Sequence, residues 1–377
     1  KQEYENTKDK KLLKDISRYN NIQMAKKISL NSAYGAIGNA YFRYFNLLIA
    51  EGITTSGQLS IRWIESALNR YLNKTLGTVK EDFVVASDTD SVYITFDRLV
   101  NSAVKEGHDT TRIINALDSF AKEKIEPFID KSYTELYKYL NCHSQRMNMK
   151  REVIADKAIW TAKKRYILNA WDIEGVRYKE PNLKMMGIEA VKSSTPAPCR
   201  QKIKEALKII MSNDEKKLND FIKDFREEFM NLPPEDIGFP RSVNNVGNYT
   251  NKVSSNVFNM EQVQGTPMND LFAKGAPLHT KGAILYNYLI SELKLKNKYP
   301  IIQEGDKIKF VYLKEPNAFL SSSISFITKF PKEFSGKFTI DAQKQFNKSF
   351  IEPLAFITDK LKWDIKNDKV GTLEDFF

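Results

Sequence analysis

Two carboxylates, Asp88 and Asp90, lie two positions apart in the first third of the sequence. Apolar runs at 83–86 and 92–96 flank them, which predicts a β-hairpin with both carboxylates at its polar tip. Like charges beside desolvating strands are costly unless a partner offsets them. A hard divalent cation such as Mg²⁺ is one such partner, because carboxylates and substrate phosphates are its usual ligands. An ordinary turn, in which aspartate side chains accept bonds from backbone N–H groups, explains the same residues.

A second candidate site lies on a predicted helix, where Lys27, Asn31 and Tyr34 follow one another at i, i+4 and i+7. This spacing places them on one helix face. A cation, an amide and an aromatic ring in one stripe can meet a triphosphate, its sugar and a base pair in turn. Gly35 lacks the Cβ that would hinder the approach of a flat base. The alternative is a solvated helix end with Gly35 as its C-cap.

A run of three cations, Lys163-Lys164-Arg165, precedes Tyr166 on a predicted strand. Consecutive strand residues point to opposite faces, so charge would occupy both faces of this strand. Phosphate contact from one face, with Tyr166 against a sugar or base, is one explanation. An exposed edge strand protected by lysines is the other.

The composition favours a polyanionic partner. The chain has 377 residues and a formal net charge of +11. Residues 145–205 hold 14 Lys and Arg against 7 Asp and Glu, and residues 1–30 hold 8 against 4, so two segments carry the excess. Such a concentration indicates contact with nucleic acid.

Several protein classes are excluded by the composition. Hydrophobic residues make up 42% of the chain, enough for sizeable cores, which argues against a disordered tail. No apolar run is long enough for a membrane-spanning helix. Two cysteines and three histidines are too few for a disulfide scaffold or a spaced zinc cluster. The scarcity of cysteine indicates a reducing compartment such as the cytoplasm.

Periodicity and turn residues predict an α+β protein. Helices are expected over 1–38, 52–76, 111–141, 197–231, 279–297 and 341–362, and strands over 83–87, 91–96, 151–172 and 307–313. Gly77 should end the second helix, and Pro127 should break or restart the third. Residues 232–278 are rich in Asn, Gly and Pro and are expected to be mostly loop.

The three motifs, in this order and spacing, resemble those of family B DNA polymerases. Further segments resemble the T4-type phage replicative branch: Gly35-Ala36-Ile37-Gly38-Asn39 with Phe42-Arg43-Tyr44, Met186-Gly187-Ile188-Glu189, Lys192-Ser193-Ser194-Thr195-Pro196 and Phe350-Ile351-Glu352-Pro353-Leu354. The resemblance covers nearly the whole chain and is weakest across 232–278. It implies an antiparallel palm sheet with helices on one face, a mostly helical thumb and a partial fingers helix at the N-terminus.

The resemblance also implies residue roles. Asp90 would be the principal ligand of a two-Mg²⁺ site, with Mn²⁺ as an alternative ion; Asp88 would lie nearer the primer end, and Glu152 would assist through water. Lys27 and Asn31 would face the phosphates of the incoming dNTP, with Tyr34 and Gly35 beside the nascent base pair. Primer–template contacts would come from Lys163, Lys164, Arg165, Tyr166, Lys192, Ser193, Ser194 and Thr195. The tail resembles a sliding-clamp-binding peptide, with Leu373, Phe376 and Phe377 as its anchors.

Other motifs of such polymerases are absent from these 377 residues: the second metal-binding aspartate, in an Asp-x-x-Ser-Leu-Tyr-Pro motif, and the acidic motifs of a proofreading exonuclease. We therefore expect the chain to be the C-terminal part of a DNA-directed DNA polymerase that needs an N-terminal portion for activity. It would be either the subunit of a naturally split polymerase or a portion cut from a longer polypeptide. The expected domains are fingers over 1–39, palm over 40–188, thumb over 189–369 and a clamp-binding tail over 370–377. Alternatives are a non-catalytic module that binds duplex DNA and tethers a clamp, and an RNA-binding structural protein.

Overall fold

The computed structural model describes residues 2–105, 107, 109–244, 246–249, 275–319 and 321–365. The chain divides into two compact units. The first contains residues 1–157 and 168–182, and the second contains residues 158–167 and 183–377. The predicted clamp-binding residues Leu373, Phe376 and Phe377 lie outside the described residues.

The first unit is built mainly from helices around one small hairpin. Its elements, in chain order, are α1 (Gln2–Thr7), α2 (Lys11–Ile37), α3 (Leu47–Leu76), β1 (Val84–Asp88), β2 (Ser91–Ile94), α4 (Asp97–Lys105), α5 (Thr110–Phe120), a π-helical turn (Ala121–Ile125) and α6 (Glu126–Tyr139). Helix α3 begins five residues earlier than predicted, because the Asn46 side chain caps it by accepting from the Ile49 N–H at 3.1 Å. It ends at Gly77 as predicted, with a left-handed φ of 64°.

The core of the first unit lies between α3, the hairpin and α6. Ile64, Leu68 and Leu72 of α3 are fully buried against residues of the other two elements: Phe83, Val84, Ile125, Ile129, Tyr133 and Leu136. Leu59, earlier on α3, is 40% exposed and lies outside this buried stripe. The hairpin is therefore seated on a hydrophobic base formed by two helices.

Of the two predictions for Pro127, the break is wrong, and the restart agrees with its place in the first turn of α6. The chain passes from α5 through the π-helical turn Ala121–Ile125 into α6, with Pro127 in the first turn of α6. A proline inside a helix cannot donate a hydrogen bond to the carbonyl of the residue four before it, and its ring clashes with that carbonyl. The wider π-helical turn accommodates the proline without ending the helix.

Three strands form a sheet of order β3-β4-β5: β3 (Val153–Ala162), β4 (Arg165–Ile173) and β5 (Val176–Met186). The sequence predicts strand only as far as residue 172, so β5 was missed. Each strand contributes residues to both units, because the unit boundaries fall at 157, 167 and 182.

The second unit combines helices with a second sheet. It continues with a 3₁₀ turn (Glu189–Val191), α7 (Ala197–Ser212), α8 (Glu215–Met230), α9 (Pro234–Ile237), β6 (Phe239–Ser242), a 3₁₀ turn (Val246–Tyr249), α10 (Leu278–Glu292), β7 (Lys307–Tyr312), β8 (Ser323–Phe326), a 3₁₀ turn (Lys332–Phe334), α11 (Ala342–Phe346), a π-helical turn (Asn347–Ile351) and α12 (Glu352–Leu361). One continuous helix over 197–231 was predicted, which is wrong. Asn213 adopts a left-handed φ of 60°, and Asp214 caps a new helix by accepting from the Lys217 N–H at 2.9 Å.

Aromatic packing dominates the core of the second unit. Phe225 of α8 contacts Phe350 with ring centroids 4.8 Å apart, and Phe229 contacts Phe346 at 5.2 Å. Strands β6, β7 and β8 pair antiparallel, with Phe239 opposite Phe310.

The α+β class predicted from the sequence is confirmed, with antiparallel pairing in the sheets of both β1-β2 and β6-β7-β8. The domain limits at 39, 188 and 369 remain predictions. In the part of the chain that the structure describes, no helix has the length and apolar character needed to cross a bilayer.

Candidate active site

The two carboxylates lie at the tip of the β1-β2 hairpin, as predicted. Asp88 pairs with Ser91, and the two residues between them form the turn. The Asp90 N–H donates to the Asp88 carbonyl at 2.6 Å, and the Thr89 hydroxyl donates to Asp88 Oδ1 at 2.9 Å. Asp88 is half-buried and Asp90 is exposed. The tip therefore presents one carboxylate to solvent and orients the other through its neighbour.

Thr89 adopts a left-handed φ of 56°. This region is unfavourable for a β-branched side chain and costs of order 1–3 kcal/mol. Glycine or asparagine would form the same turn with less strain. The strain falls on the residue between the two carboxylates, and such strain is often found at functional sites.

Two asparagines of α3 attach the hairpin to its helix. The Asn69 side chain accepts from the Phe83 N–H at 2.9 Å and donates to Asp82 Oδ1 at 2.8 Å. One turn later, Asn73 accepts from the Glu81 N–H at 2.9 Å and donates to the Glu81 carbonyl at 2.7 Å. These bonds fix the segment that leads into β1. Two asparagines at i and i+4 inside a helix are the signal from which these bonds could have been predicted.

Tyr133 of α6 is a further residue that the sequence analysis missed. Its side chain is buried in the core beneath the hairpin, at 3% exposure. Burial raises the pKa of Tyr133, and the negative charge of Asp90 raises it further. The phenol therefore stays protonated and electrically neutral near the more exposed carboxylate.

The predicted nucleotide-binding residues lie on α2 and are exposed. Lys27, Asn31 and Tyr34 share this helix, and Tyr34 is 41% exposed. Gly35 lies inside the helix, where a Cβ would meet nothing within 4 Å. Gly38, three residues later, is the actual C-cap, so the alternative role of Gly35 as C-cap is wrong. The face is open enough for a flat ligand to approach Gly35.

Glu152 is exposed, and its carbonyl accepts from the Glu174 N–H at 2.7 Å. Among the described residues, no three or more His, Cys, Asp or Glu side chains group as a ligand set, so Glu152 does not join Asp88 and Asp90 in such a cluster. The pair of carboxylates still fits Mg²⁺, which is held in many enzymes by one or two carboxylates together with substrate phosphates.

Arg151, next to Glu152, belongs to a buried ion-pair network in the first unit. It pairs with Asp172, which is 1% exposed, and with Asp118 at 2.6 Å. Arg177 contacts both aspartates, at 2.9 Å and 3.2 Å. Burial opposes ionisation of Asp118, but Lys122 and Arg151 outweigh it and hold its pKa below the usual value. The network joins α5 to β4 and β5.

The basic motif at 163–166 lies in the second unit and is not simply a strand, which corrects the prediction. Lys163 and Lys164 form the turn between β3 and β4, with Lys164 at a φ of 61°. Arg165 and Tyr166 begin β4, the middle strand of its sheet, so the edge-strand alternative is wrong. Lys163 is exposed, as a phosphate contact requires.

The second predicted DNA-contact segment, 192–195, is also in this unit. Lys192 is half-buried, Ser193 is exposed, and Thr195 is only 5% exposed. The Ser194 carbonyl accepts from Arg241 Nη1 at 2.9 Å. Arg165 and Lys192 both pair with Glu189, at 2.6 Å and 3.0 Å. The contact residues thus have defined internal partners that the sequence did not reveal.

The predicted site residues divide between the two compact units. The nucleotide-binding face, the carboxylate pair and Glu152 belong to the first unit. The second unit holds the predicted primer–template residues Lys163, Lys164, Arg165, Tyr166, Lys192, Ser193, Ser194 and Thr195.

Comparison with known proteins places these motifs in a family. Residues 1–137 match the family model for DNA polymerase family B, and residues 74–223 match that for divergent family B DNA polymerase. The chain is 35% identical over 361 residues to the DNA-directed DNA polymerase of Enterobacteria phage T4. The aligned region covers 92% of this chain and 38% of that relative. The chain is 36% identical over 369 residues to the DNA-directed DNA polymerase of Escherichia phage RB69, covering 94% of this chain and 38% of the relative.

A more distant relative is the DNA polymerase beta of African swine fever virus, at 27% identity over 176 residues. This match covers 45% of the chain and 14% of the relative. The chain spans about two fifths of the length of the phage relatives that it matches. Two family models and two relatives that match along nearly the whole chain agree, and the chain belongs to the family B DNA polymerases, with the T4-type phage enzymes among its relatives.

Proposed function

We propose that this chain supplies the end of the fingers, the palm and the thumb of a DNA-directed DNA polymerase. In the reaction, a primer 3′-hydroxyl attacks the α-phosphorus of a dNTP and pyrophosphate leaves. One observation carries the proposal: Asp88 and Asp90 form a carboxylate pair at a hairpin tip seated on a buried core. They do so in a chain 35% identical to a phage DNA polymerase.

The carboxylates would hold Mg²⁺, with Asp90 as the principal ligand. Two Mg²⁺ ions are expected, shared with the second catalytic aspartate of the missing portion; when bound, they would activate the attacking hydroxyl and stabilise the leaving oxygen. Asp90 suits this role because it is exposed, and Asp88 because the Thr89 hydroxyl orients it at 2.9 Å. The neutral phenol of Tyr133 adds no charge beside the pair. Asn69 and the core beneath the hairpin hold the base from which the tip projects.

Helix α2 would bind the incoming nucleotide. Lys27 and Tyr34 are seven residues apart, about 10 Å along a helix axis. That distance suits a dNTP with its phosphates near Lys27 and Asn31 and its base near Tyr34. Open space around Gly35 allows the nascent base pair to approach the backbone.

An exposed apolar surface supports the need for a further polymerase portion. Helix α2 has no buried residue, and Leu30 on it is 73% exposed. Tyr41, Tyr44 and Leu48, in the segment that follows, are 100%, 68% and 78% exposed. Contiguous exposed apolar side chains mark protein–protein contact sites. Because the chain covers only 38% of its phage relatives, we assign this surface to the part of the polymerase that it does not cover. That part would supply the second catalytic aspartate and any proofreading exonuclease.

The test is primer extension on a DNA hairpin with Mg²⁺ and all four dNTPs. The wild-type chain is assayed alone and with a polypeptide comprising the part of the T4 polymerase that the chain does not match. Asp90→Asn is compared with Asp130→Asn, which removes an exposed carboxylate of α6 that has no role in the proposal. We expect extension only in the mixtures. Among the mixtures, only the one with Asp90→Asn should lose extension.

Two results would count against the proposal. Equal extension by Asp90→Asn and wild type would remove Asp90 from the catalytic site. Duplex binding without extension in any mixture would favour the clamp-tethering module.

A further inference from the structure

Glu189 links the two segments of the second unit that we assign to DNA contact. Its Oε2 lies 2.6 Å from Arg165 Nη2, and its Oε1 lies 3.0 Å from Lys192 Nζ. One carboxylate thus binds Arg165, at the start of β4, with one oxygen and Lys192, in the 192–195 segment, with the other. The Glu189 side chain is 20% exposed, against 27% for Arg165 and 41% for Lys192.

Each segment also has a contact with another part of the second unit. The Arg165 guanidinium lies 5.1 Å from the centre of the Phe356 ring. On the other side, Arg241 donates to the Ser194 carbonyl at 2.9 Å and lies over the Phe239 and Phe310 rings at 5.7 Å and 5.9 Å. These contacts anchor the two segments separately, and Glu189 joins them through its two carboxylate oxygens.

Charge explains why a carboxylate is suited to this position. Arg165 and Lys192 repel each other when they converge, and a carboxylate between them offsets that repulsion. The three groups together keep a net positive charge. Arginine has five N–H donors and lysine three, so each cation keeps donors for another acceptor after its bond to Glu189. A phosphate backbone is an acceptor of the matching charge and geometry.

We propose that Glu189 is a positioning residue that holds Arg165 and Lys192 as a single phosphate-contacting pair on duplex DNA. The inference rests on the proposed function, since it takes DNA as the ligand of this unit. The opposite arrangement uses the same bonds: Glu189 would compete with phosphate and mask the two cations. The two arrangements predict opposite effects on affinity when the carboxylate is removed.

The test measures the affinity of the full chain for a fluorescein-labelled primer–template hairpin by fluorescence anisotropy. Glu189→Gln is compared with Glu228→Gln, which breaks a lysine pair of the same unit, that of Lys202 with Glu228 at 2.7 Å. Both variants remove one negative charge, so the net charge of the chain changes by the same amount in the two. We expect Glu189→Gln to bind about fivefold more weakly than Glu228→Gln, with a salt slope smaller by about 0.9, equivalent to one lost phosphate contact.

A double-variant comparison separates positioning from general structural damage. In a chain that carries Arg165→Gln and Lys192→Gln, the further change Glu189→Gln should alter affinity by less than about twofold. Hydrogen exchange provides a readout without DNA: amides of 163–166 and 191–194 should exchange faster in Glu189→Gln than in Glu228→Gln. Those of α7 and α8 should be unchanged.

Equal or tighter DNA binding by Glu189→Gln relative to Glu228→Gln would overturn the inference and favour masking. An equally large effect of Glu189→Gln in the Arg165 and Lys192 double variant would also overturn it. Failure of the proposed function looks different: no mixture would then extend the primer, or the wild-type chain would show no salt-dependent binding to the hairpin, whatever the exchange rates at 163–166.

Discussion

Gly187 offers the sharpest test of how the predicted DNA-contact turn is held. It has a left-handed φ of 65°, and a Cβ there would come closer than 3.0 Å to the Lys164 carbonyl oxygen. The same Cβ would lie 3.0 Å from Arg165 Cγ. Gly187→Ala therefore adds two costs, a strained backbone and an overlap with a backbone atom that cannot rotate away.

The two costs can be separated with Gly175→Ala. Gly175, between β4 and β5, has a left-handed φ of 84° and open space around its Cβ position. Each substitution should lower the free energy of unfolding by about 1–2 kcal/mol through strain. Gly187→Ala should lose about 1–3 kcal/mol more, typical of overpacking. Relief of the overlap should displace the turn at Lys163 and Lys164 by up to about 1 Å. In enzymes, a displacement of that size can lower the rate of a reaction between positioned groups by about two orders of magnitude.

Urea unfolding followed by tryptophan fluorescence measures the first effect, and anisotropy with the labelled primer–template hairpin measures the second. We expect Gly175→Ala to keep wild-type DNA affinity and Gly187→Ala to lose at least about tenfold. If the two variants match in both stability and affinity, the close approach of Gly187 to Lys164 does not hold the turn, and the reasoning is wrong.

Three further predictions concern single residues. Gly35→Ala should stabilise the chain by about 0.5–1 kcal/mol in urea unfolding, because helix interiors disfavour glycine, yet raise the KM for dNTP in the reconstituted extension assay; an unchanged KM would remove Gly35 from the nucleotide site. Burial and the charge of Arg241 hold the pKa of His279 below its usual 6.5, so the stability that this residue contributes above pH 6.5 is lost as pH falls towards the lowered value. His279→Gln should therefore unfold with a shallower loss of stability between about pH 7 and about pH 5 than wild type, and parallel pH profiles would contradict this. Burial raises the pKa of the Cys199 thiol to about 11, whereas Cys142 is exposed. At pH 8, iodoacetamide should therefore add once to the native chain and twice to the chain in urea, as counted by mass spectrometry. Two rapid additions to the native chain would show that Cys199 is accessible.

Local signals predicted much of the scaffold. The apolar runs on either side of Asp88 and Asp90 predicted the hairpin, and Gly77 predicted the end of α3. These features depend on neighbours in the chain, so a sequence contains them directly. The break between α7 and α8 was also present locally, in Asn213 and Asp214, and was overlooked because the hydrophobic period continues across it.

The rest depends on tertiary contacts that sequence spacing does not encode. Nothing near Glu189 indicates that it pairs with Arg165, 24 positions earlier. The burial of Tyr133 near Asp90 likewise arises from helix packing. Lys163 and Lys164 were assigned to a strand because their neighbours have strand character, whereas the chain turns at these two residues. Pairings and turns of this kind decide which side chains can contact a ligand, so site residues were less predictable than site motifs.

The π-helical turn Ala121–Ile125 also bears on which insertions and deletions the chain can tolerate. One residue rotates an α-helix by about 100°. Deleting one residue from this turn would bring Pro127 into clash with the residue four before it, or rotate Ile129 and Tyr133 away from the face they share with the hairpin. The second π-helical turn, Asn347–Ile351, likewise precedes a Glu-Pro pair, Glu352 and Pro353. Among natural relatives, length changes in these two helices should therefore be rarer than substitutions, and a lost residue should be accompanied by replacement of the following proline.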